Sequence, residues 1–481
     1  MPVPDRPVTA PDPGTPARRG ALAGLALAVL AASLATSVAN VALPTLADAF
    51  DASFQRAQWV VLAYLLASTT LLVAAGRLGD LLGRRRLLLA SLVVFTAASA
   101  LCAAAPTLGT LVAARALQGL GAAAVLGLGV ALVAEAVPEE RTGRAMGLVG
   151  TMSAVGTAAG PSLGGVLVSV AGWRGVFALV VPVGAAAVVL VAGRVPGDGP
   201  RRARPASAFD VRGTVLLAVG LALYTLAMTL GDGDPGLANA AALGAAGVTV
   251  ALFAAAQRRA AAPLVPRAVL RSRTLRAGLS ANGLVATVMM TTLVVGPFYL
   301  TEGLGLGPAA TGLVMSVGPA VAALTSTPAG RLTDRVGAPR ARASALAALV
   351  AGATALAILP TAAGVAGYVA PLVVVTAGYA LFGTANNAAV MAGAPADGRG
   401  VAGGVLALTR NLGLITGASV MGAVFALAAG TSDVRSAAPA AVAQGTRVTF
   451  LVAVGLLTVA LGLVLAARRV GAGPRRAAPT P

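Results

Sequence analysis

Long apolar runs, separated by short polar or charged stretches, make up most of this chain. With windows of about 19 residues, the runs fall near 21–45, 57–76, 87–105, 109–136, 145–169, 175–193, 213–231, 238–257, 275–300, 309–330, 342–360, 368–393, 401–429 and 448–468. Each is too long for a strand and long enough to cross a bilayer as a helix, for which about 20 residues suffice. The pattern therefore predicts an all-α polytopic membrane protein of fourteen spans, several of them tilted or protruding. Residues 1–20, rich in Pro and ending in Arg18 and Arg19, read as a disordered cytoplasmic tail. The run from Ala21 to Ala47 is far longer than a signal-peptide core, so it reads as an uncleaved first helix.

The polar interruptions are not random. Gly76–Arg86 reads G-R-L-G-D-L-L-G-R-R-R, and Gly330–Arg340 reads G-R-L-T-D-R-V-G-A-P-R, with Gly, Arg, Leu, Asp and Gly at matching places 254 positions apart. Pro44 and Pro297 lie 253 apart, and Pro138/Gly147 match Pro395/Gly404 at 257. A near-constant offset means two homologous halves. Six helices per half leave two spans, near 213–231 and 238–257, inserted between them. The organisation expected is a tail over 1–20, a six-helix bundle over 21–193, a linker with two extra helices over 194–274, a second bundle over 275–468 and a tail over 469–481. Within the repeated loop, Gly76 and Gly83 permit close backbone approach, while Asp80 is placed to cap a helix or to pair with one of Arg84, Arg85 and Arg86. Gly330, Asp334 and Gly337 are the equivalents, with Ala338 and Pro339 where the first copy has Arg84 and Arg85. These positions are read as a gating latch.

Composition narrows the function. The chain is 57% hydrophobic and 11% charged, with a net charge of +19 carried wholly by Arg, since it contains no Lys. Without His there is no Ser/His/Asp or Cys/His catalytic arrangement, and without Lys no G-x-x-x-x-G-K-[ST] phosphate loop. Cys102 alone makes neither a disulfide nor a cysteine-based zinc site. The chain is expected to be no enzyme, to hold no cofactor or metal and to bind no nucleic acid. The arginines crowd one set of alternating loops: Arg56, Arg174, Arg435 and Arg447 fall in the other set, and Arg115 and Arg410 lie deeper in spans. By the positive-inside rule both termini are cytoplasmic, in a cell membrane.

Arg115 lies inside the fourth span, with Gln118 on the same face at i+3. A charge there needs a wet cavity or a partner, so both residues are candidates for coupling. Arg410, with Asn411 beside it, is a weaker candidate of the same kind. The fifth span holds Gly156, Gly160 and Gly164 at a spacing of four, with Pro161 and Gly165, as G-T-A-A-G-P-S-L-G-G. Small residues at this spacing let helices pack at backbone distance, and Pro161 is expected to kink the span. Asn40, Tyr64, Asn282 and Asn386, together with Arg410, are candidates for a polar substrate cavity, although helix-to-helix hydrogen bonds use such residues equally.

These residues resemble the major facilitator superfamily, and within it the fourteen-helix drug/proton antiporters of EmrB/QacA type. The likeness is carried by S-V-A-N-V-A-L-P ending at Pro44, the Gly76–Arg86 loop, L-V-A-A-R-A-L-Q-G-L-G around Arg115, the fifth-span glycine motif, and G-W-R followed by F-A-L-V-V-P at Gly172–Pro182. It implies two six-helix bundles rocking around a central site, Asp80 in a gating contact, Arg115 in coupling, and protons as the coupling ion. Two departures are plain: the first span has no acidic residue, and Val180 or Val181 stands where the family has Asn before the sixth-span Pro. The reading is a monomeric exporter of amphipathic small molecules, such as drugs or antibiotics. The alternative is a dedicated exporter of an endogenous metabolite or lipid precursor. No loop exceeds about 20 residues, which disfavours a receptor or scaffold.

Overall fold

A computed structural model describes residues 16–136, 139–197, 210–230, 236–260, 272–358, 363–393, 399–430 and 437–471. Every regular element among them is helical. In order these are α1 (Pro16–Val41), α2 (Leu43–Ala49), α3 (Phe54–Leu82), α4 (Arg84–Ala104), α5 (Leu108–Ala136), α6 (Glu139–Ala178), α7 (Val180–Arg194), α8 (Val211–Thr229) and α9 (Leu237–Arg259). Then come α10 (Arg273–Phe298), prolonged by a π-helical turn at Tyr299–Gly303, α11 (Pro308–Val336), α12 (Ala338–Ile358), α13 (Gly364–Gly393), α14 (Arg399–Ala429) and α15 (Pro439–Gly471). Among the described residues, twelve helical stretches are long and apolar enough to cross a membrane. One of these, Thr151–Arg194, runs for 44 residues, enough for two crossings. The 29-residue α3 is a further long helix.

The apolar segments read from the sequence fall on these helices, but the ends differ. Apolar windows mark the part of a helix that suits hydrocarbon; α15 begins at Pro439 because Gln444, Thr446 and Arg447 extend the helix beyond that part. The first span stops at Val41, and Pro44 opens a separate short helix, α2, since Pro fits the first turn of a helix and not its interior. In α6 the helix runs on through Pro161, and its non-helical residue is Gly172, with φ 68°. Polar caps start other helices: Ser53, Asp210 and Ser272 accept from the N–H groups of Arg56, Gly213 and Leu275.

Packing partners repeat between the halves. Helix α1 lies on α6 and α7 as α10 lies on α14 and α15, and α5 lies on α3 and α4 as α13 lies on α11 and α12. The pair α8/α9 packs on itself, with α8 reaching both α3 and α14. One end of the molecule carries the turns at Gly83 and Gly337 and is called here the turn end. At the opposite, far end, the Phe54 ring from α3 meets Phe298 from α10 at 4.6 Å, edge to face, and Phe425 from α14 at 5.3 Å. These aromatic contacts join the two halves.

Candidate functional site

The two repeated loops share one backbone shape. Gly83 and Gly337 both lie at positive φ, 96° and 83°, and their N–H groups donate to the carbonyls of Gly79 and Thr333, closing α3 and α11 before α4 and α12 begin. Only Gly takes this conformation without strain, which accounts for its place in both copies. The copies differ in what surrounds them. Arg85 donates from Nη2 to the Ala192 carbonyl at 2.6 Å, fastening the first turn to the C-terminal end of α7. Gly76, Asp80 and Arg84 sit on the helices flanking Gly83, but the side chain of Asp80 lies outside the described residues. Beyond Gly330 there is open space. Asp334 is exposed.

Arg115 is fully buried, with no exposed surface. Its Nε donates to the Val60 carbonyl of α3 at 2.8 Å, and its Nη1 donates to the Ala35 carbonyl of α1 at 3.2 Å and to Gln118 Oε1. Gln118 Nε2 donates in turn to Ser99 Oγ of α4 at 2.7 Å. The guanidinium stands 4.3 Å from the Tyr64 ring centroid and 5.8 Å from that of Phe177. Its charge is thus met by carbonyl dipoles and aromatic faces, with no carboxylate of the described residues among its partners. Nη2 has no partner. Arg115 and Gln118 together tie α5 to α1, α3 and α4.

The glycine motif of α6 has two working faces. Side chains at Gly156, Gly160 and Gly164 would strike α1: a Cβ on Gly156 would sit 2.7 Å from the Leu30 carbonyl, and one on Gly164 would sit 3.1 Å from the Val38 carbonyl. Gly165 faces elsewhere. There a Cβ would lie 2.5 Å from the Pro308 carbonyl and 2.8 Å from Gly312 Cα, both on α11 of the second half. Ser162 and Ser316 are hydrogen-bonded across the same seam. The spacing of four pointed to one close-packed face, without naming the helix it meets, whereas the α11 face had no signal beyond the closing Gly-Gly.

The other polar candidates are dispersed. Asn40 is buried and donates to the Thr36 carbonyl, while Tyr64 donates to the Ala32 carbonyl and accepts from Thr36 at 3.0 Å. Asn282, half-buried on α10, ties that helix to Leu406 and Thr409 of α14. Asn386 is fully buried, donates to the Gly278 carbonyl and accepts from Arg342 Nη1 at 3.4 Å. Arg410 is exposed. Arg342, 2% exposed, is a buried arginine that sequence reasoning missed, because it follows closely on the Arg-rich turn and looks like one more helix-end anchor.

Comparison with known proteins fits this architecture. Residues 25–418 match the Major Facilitator Superfamily. The uncharacterized transporter YebQ of Escherichia coli K12 is 32% identical over 84% of this chain and 89% of its own length. The multidrug resistance protein Stp of Mycobacterium tuberculosis is 32% identical over 81% and 72%, and the riboflavin transporter RibZ of Clostridioides difficile 28% identical over 84% and 87%. Among solved structures, a bacterial homologue of the human lysosomal transporter Spinster superposes with a TM-score of 0.66 at 15% identity, covering 95% of this chain and 98% of that one. The peptide transporter POT gives a TM-score of 0.68 at 15% identity, covering 93% and 95%. Duplicated helix packing, paired Gly turns and a family match over most of the length lead to one assignment: this chain belongs to the major facilitator superfamily and is a multi-pass membrane transporter, not an enzyme.

Proposed function

We propose that the chain exports neutral or acidic amphipathic small molecules by proton antiport, as a monomer of the fourteen-helix drug/proton antiporter type, with its turn end in the cytoplasm. The observation that carries this reading is the two-faced α6. One glycine row binds α1 within its own half, while Gly165 and Ser162 meet Gly312 and Ser316 of the other half, forming a seam that can part and close as the halves rock. The likeness to Stp, which bears the name multidrug resistance protein, supports export of this kind.

Substrate charge follows from the placement of acids. Asp48, Asp51, Asp80, Glu135, Glu139, Glu140, Asp210, Glu302 and Asp334 all stand at helix ends or beside turns, and the deep charge is the cation Arg115. A dication in a central cavity would lose hydration without a carboxylate to offset it. Efflux from cells expressing the protein, under an imposed pH gradient, should therefore be strong for neutral and acidic amphipaths and weak for divalent quaternary ammonium dyes. Strong gradient-driven efflux of a dication would sink the charge argument. Absence of efflux for every class would sink the export reading itself. Proton coupling would then use peripheral acids such as Asp80, Glu135 or Glu302, or a titrating substrate.

Asp80→Asn is expected to abolish transport at near-normal membrane levels, because a neutral side chain cannot hold a charge-assisted latch beside Arg84–Arg86. Asp334→Asn should do less, since its copy of the turn has Ala338 and Pro339 in place of two arginines. Transport by the two variants in the same vesicles checks this. Equal losses would remove the asymmetry.

A further inference from the structure

A crevice of about 890 Å3 separates the α8/α9 pair from α10 and α14. Its walls are apolar, formed by Leu217, Leu221, Val250, Phe253, Leu408 and Leu412 among others. The helix directions place it. Trp59 Nε1 donates to Thr229 Oγ1 beside the far-end aromatic cluster, so Val211 and Arg259 are at the turn end, where Gln257 binds Asp210 at 2.6 Å. Lining positions run from Leu216 to Tyr224 on α8 and from Val405 to Thr416 on α14. At 1.5 Å per residue that is a depth of roughly 12–16 Å, about half of a 30 Å hydrocarbon core. At its inner limit Tyr224 Oη donates to Thr416 Oγ1 at 3.2 Å, joining α8 to α14. At its other limit stand Arg276 and Ser280, both exposed.

A slot one leaflet deep, largely apolar along its walls and cationic at its mouth, matches one kind of occupant. We infer that this crevice holds an anionic phospholipid of the turn-end leaflet, its acyl chain between the inserted pair and the second half and its phosphate on Arg276 and Ser280. Three observations converge. Arg276 is the charged residue of the lining, and its guanidinium makes no hydrogen bond or ion pair to any described residue, only its backbone N–H being engaged, by the Ser272 carbonyl. The surrounding helix ends add Arg212, Arg258, Arg259 and Arg273, whereas the nearby acid, Asp210, is engaged by the Gly213 N–H and by Gln257. The lining glycine at 247 has nothing within 4 Å of where a Cβ would be, so the space in front of it is open to a chain. Basic pockets between membrane helices near the cytoplasmic leaflet select anionic headgroups for the same physical reason. The lipid would brace the pair against the second half without being cargo.

The test uses the purified full chain at rest in neutral detergent, so its outcome does not depend on whether export is proton-driven. Added phosphatidylglycerol is expected to raise the thermal unfolding midpoint by several degrees, and phosphatidylcholine is not. Native mass spectrometry should show retained phosphatidylglycerol. Arg276→Gln should weaken that retention by about tenfold, the effect of one charge-assisted hydrogen bond of about 1.4 kcal/mol. Gly247→Leu, which fills the slot from the other wall, should abolish the shift, while Arg447→Gln, exposed on α15 and outside the lining, should keep it. Each variant is first measured without lipid to confirm that it folds. An equal shift with phosphatidylcholine, or an unchanged shift in Arg276→Gln, overturns the proposal. Retention of an acidic amphipathic drug in place of phosphatidylglycerol also overturns it and makes the crevice a substrate path.

Discussion

Gly160→Leu is expected to remove transport almost completely and to lower the yield of folded protein. At this position even a Cβ would run into Ser37 Oγ and lie 2.8 Å from Ser37 Cβ and 3.1 Å from the Val38 N, which is main chain and cannot step aside. Overpacking of this kind costs about 1–3 kcal/mol where side chains can shift, and more where a backbone must. Gly165→Leu makes an instructive pair with it. That side chain would meet Pro308 and Gly312 across the two halves, leaving the contact of α6 with α1 intact. It should fold and unfold much like the parent while transport falls by at least about tenfold, since a seam held open by one bulky residue costs more than about 1.4 kcal/mol. Thermal unfolding and proteoliposome transport measured on both variants separate the two effects. Relief of Gly160→Ala by Ser37→Gly would tie the loss to the named contact. Normal transport by Gly160→Leu would mean that the packing argument is wrong.

These two faces of α6 mark the limit of what the sequence discloses. Apolar runs locate helices because the requirement they meet, satisfying every backbone group within one segment in hydrocarbon, is local. The duplicated loop is equally legible: Gly83 and Gly337 each answer a local demand for positive φ, which other residues meet only with strain. Which helix a glycine faces is a tertiary fact, and a row of three at a spacing of four gives one face at most. Arg342 shows the same limit from the other side. Its composition and neighbours are those of an interfacial anchor, but α13 brings Asn386 against it and closes it off from solvent. Asn386 and Asn40, read as cavity candidates from their polarity, are used in structural hydrogen bonds, Asn386 from α13 to the Gly278 carbonyl of α10 and Asn40 back to the Thr36 carbonyl of its own helix, uses that polarity alone does not distinguish. The break at Gly172 was likewise hidden, since the Pro eleven residues earlier was the stronger local signal and the helix passes through it.

Arg115 offers the sharpest test, because two substitutions should separate its charge from its hydrogen bonds. The guanidinium reaches the Val60 carbonyl of α3 and the Ala35 carbonyl of α1 at once, with Gln118 completing the fork and Ser99 holding Gln118. Lysine keeps the charge but is a point donor on a flexible stem, so it cannot bridge both helices and bind Gln118 together. A buried cation left with fewer partners is costly, and Arg115→Lys should lose about 2–4 kcal/mol of stability. Leucine removes the charge and its desolvation cost together. The freed carbonyls belong to helix turns, where intrahelical donors remain, so Arg115→Leu should cost less than about 2 kcal/mol. Its effect should appear in function instead. Without the fork, the hydrogen bonds from α5 to Val60 of α3 and Ala35 of α1 are lost, and transport under a pH gradient should fall by about a hundredfold, equivalent to about 2.7 kcal/mol. Unfolding midpoints in detergent and uptake into everted vesicles give both numbers for both variants. The expected order is inverted between the two measurements: lysine is the less stable protein, and leucine is the more stable one that still fails to transport. A lysine variant that unfolds with the parent would show that the buried charge is solvated by something other than these carbonyls.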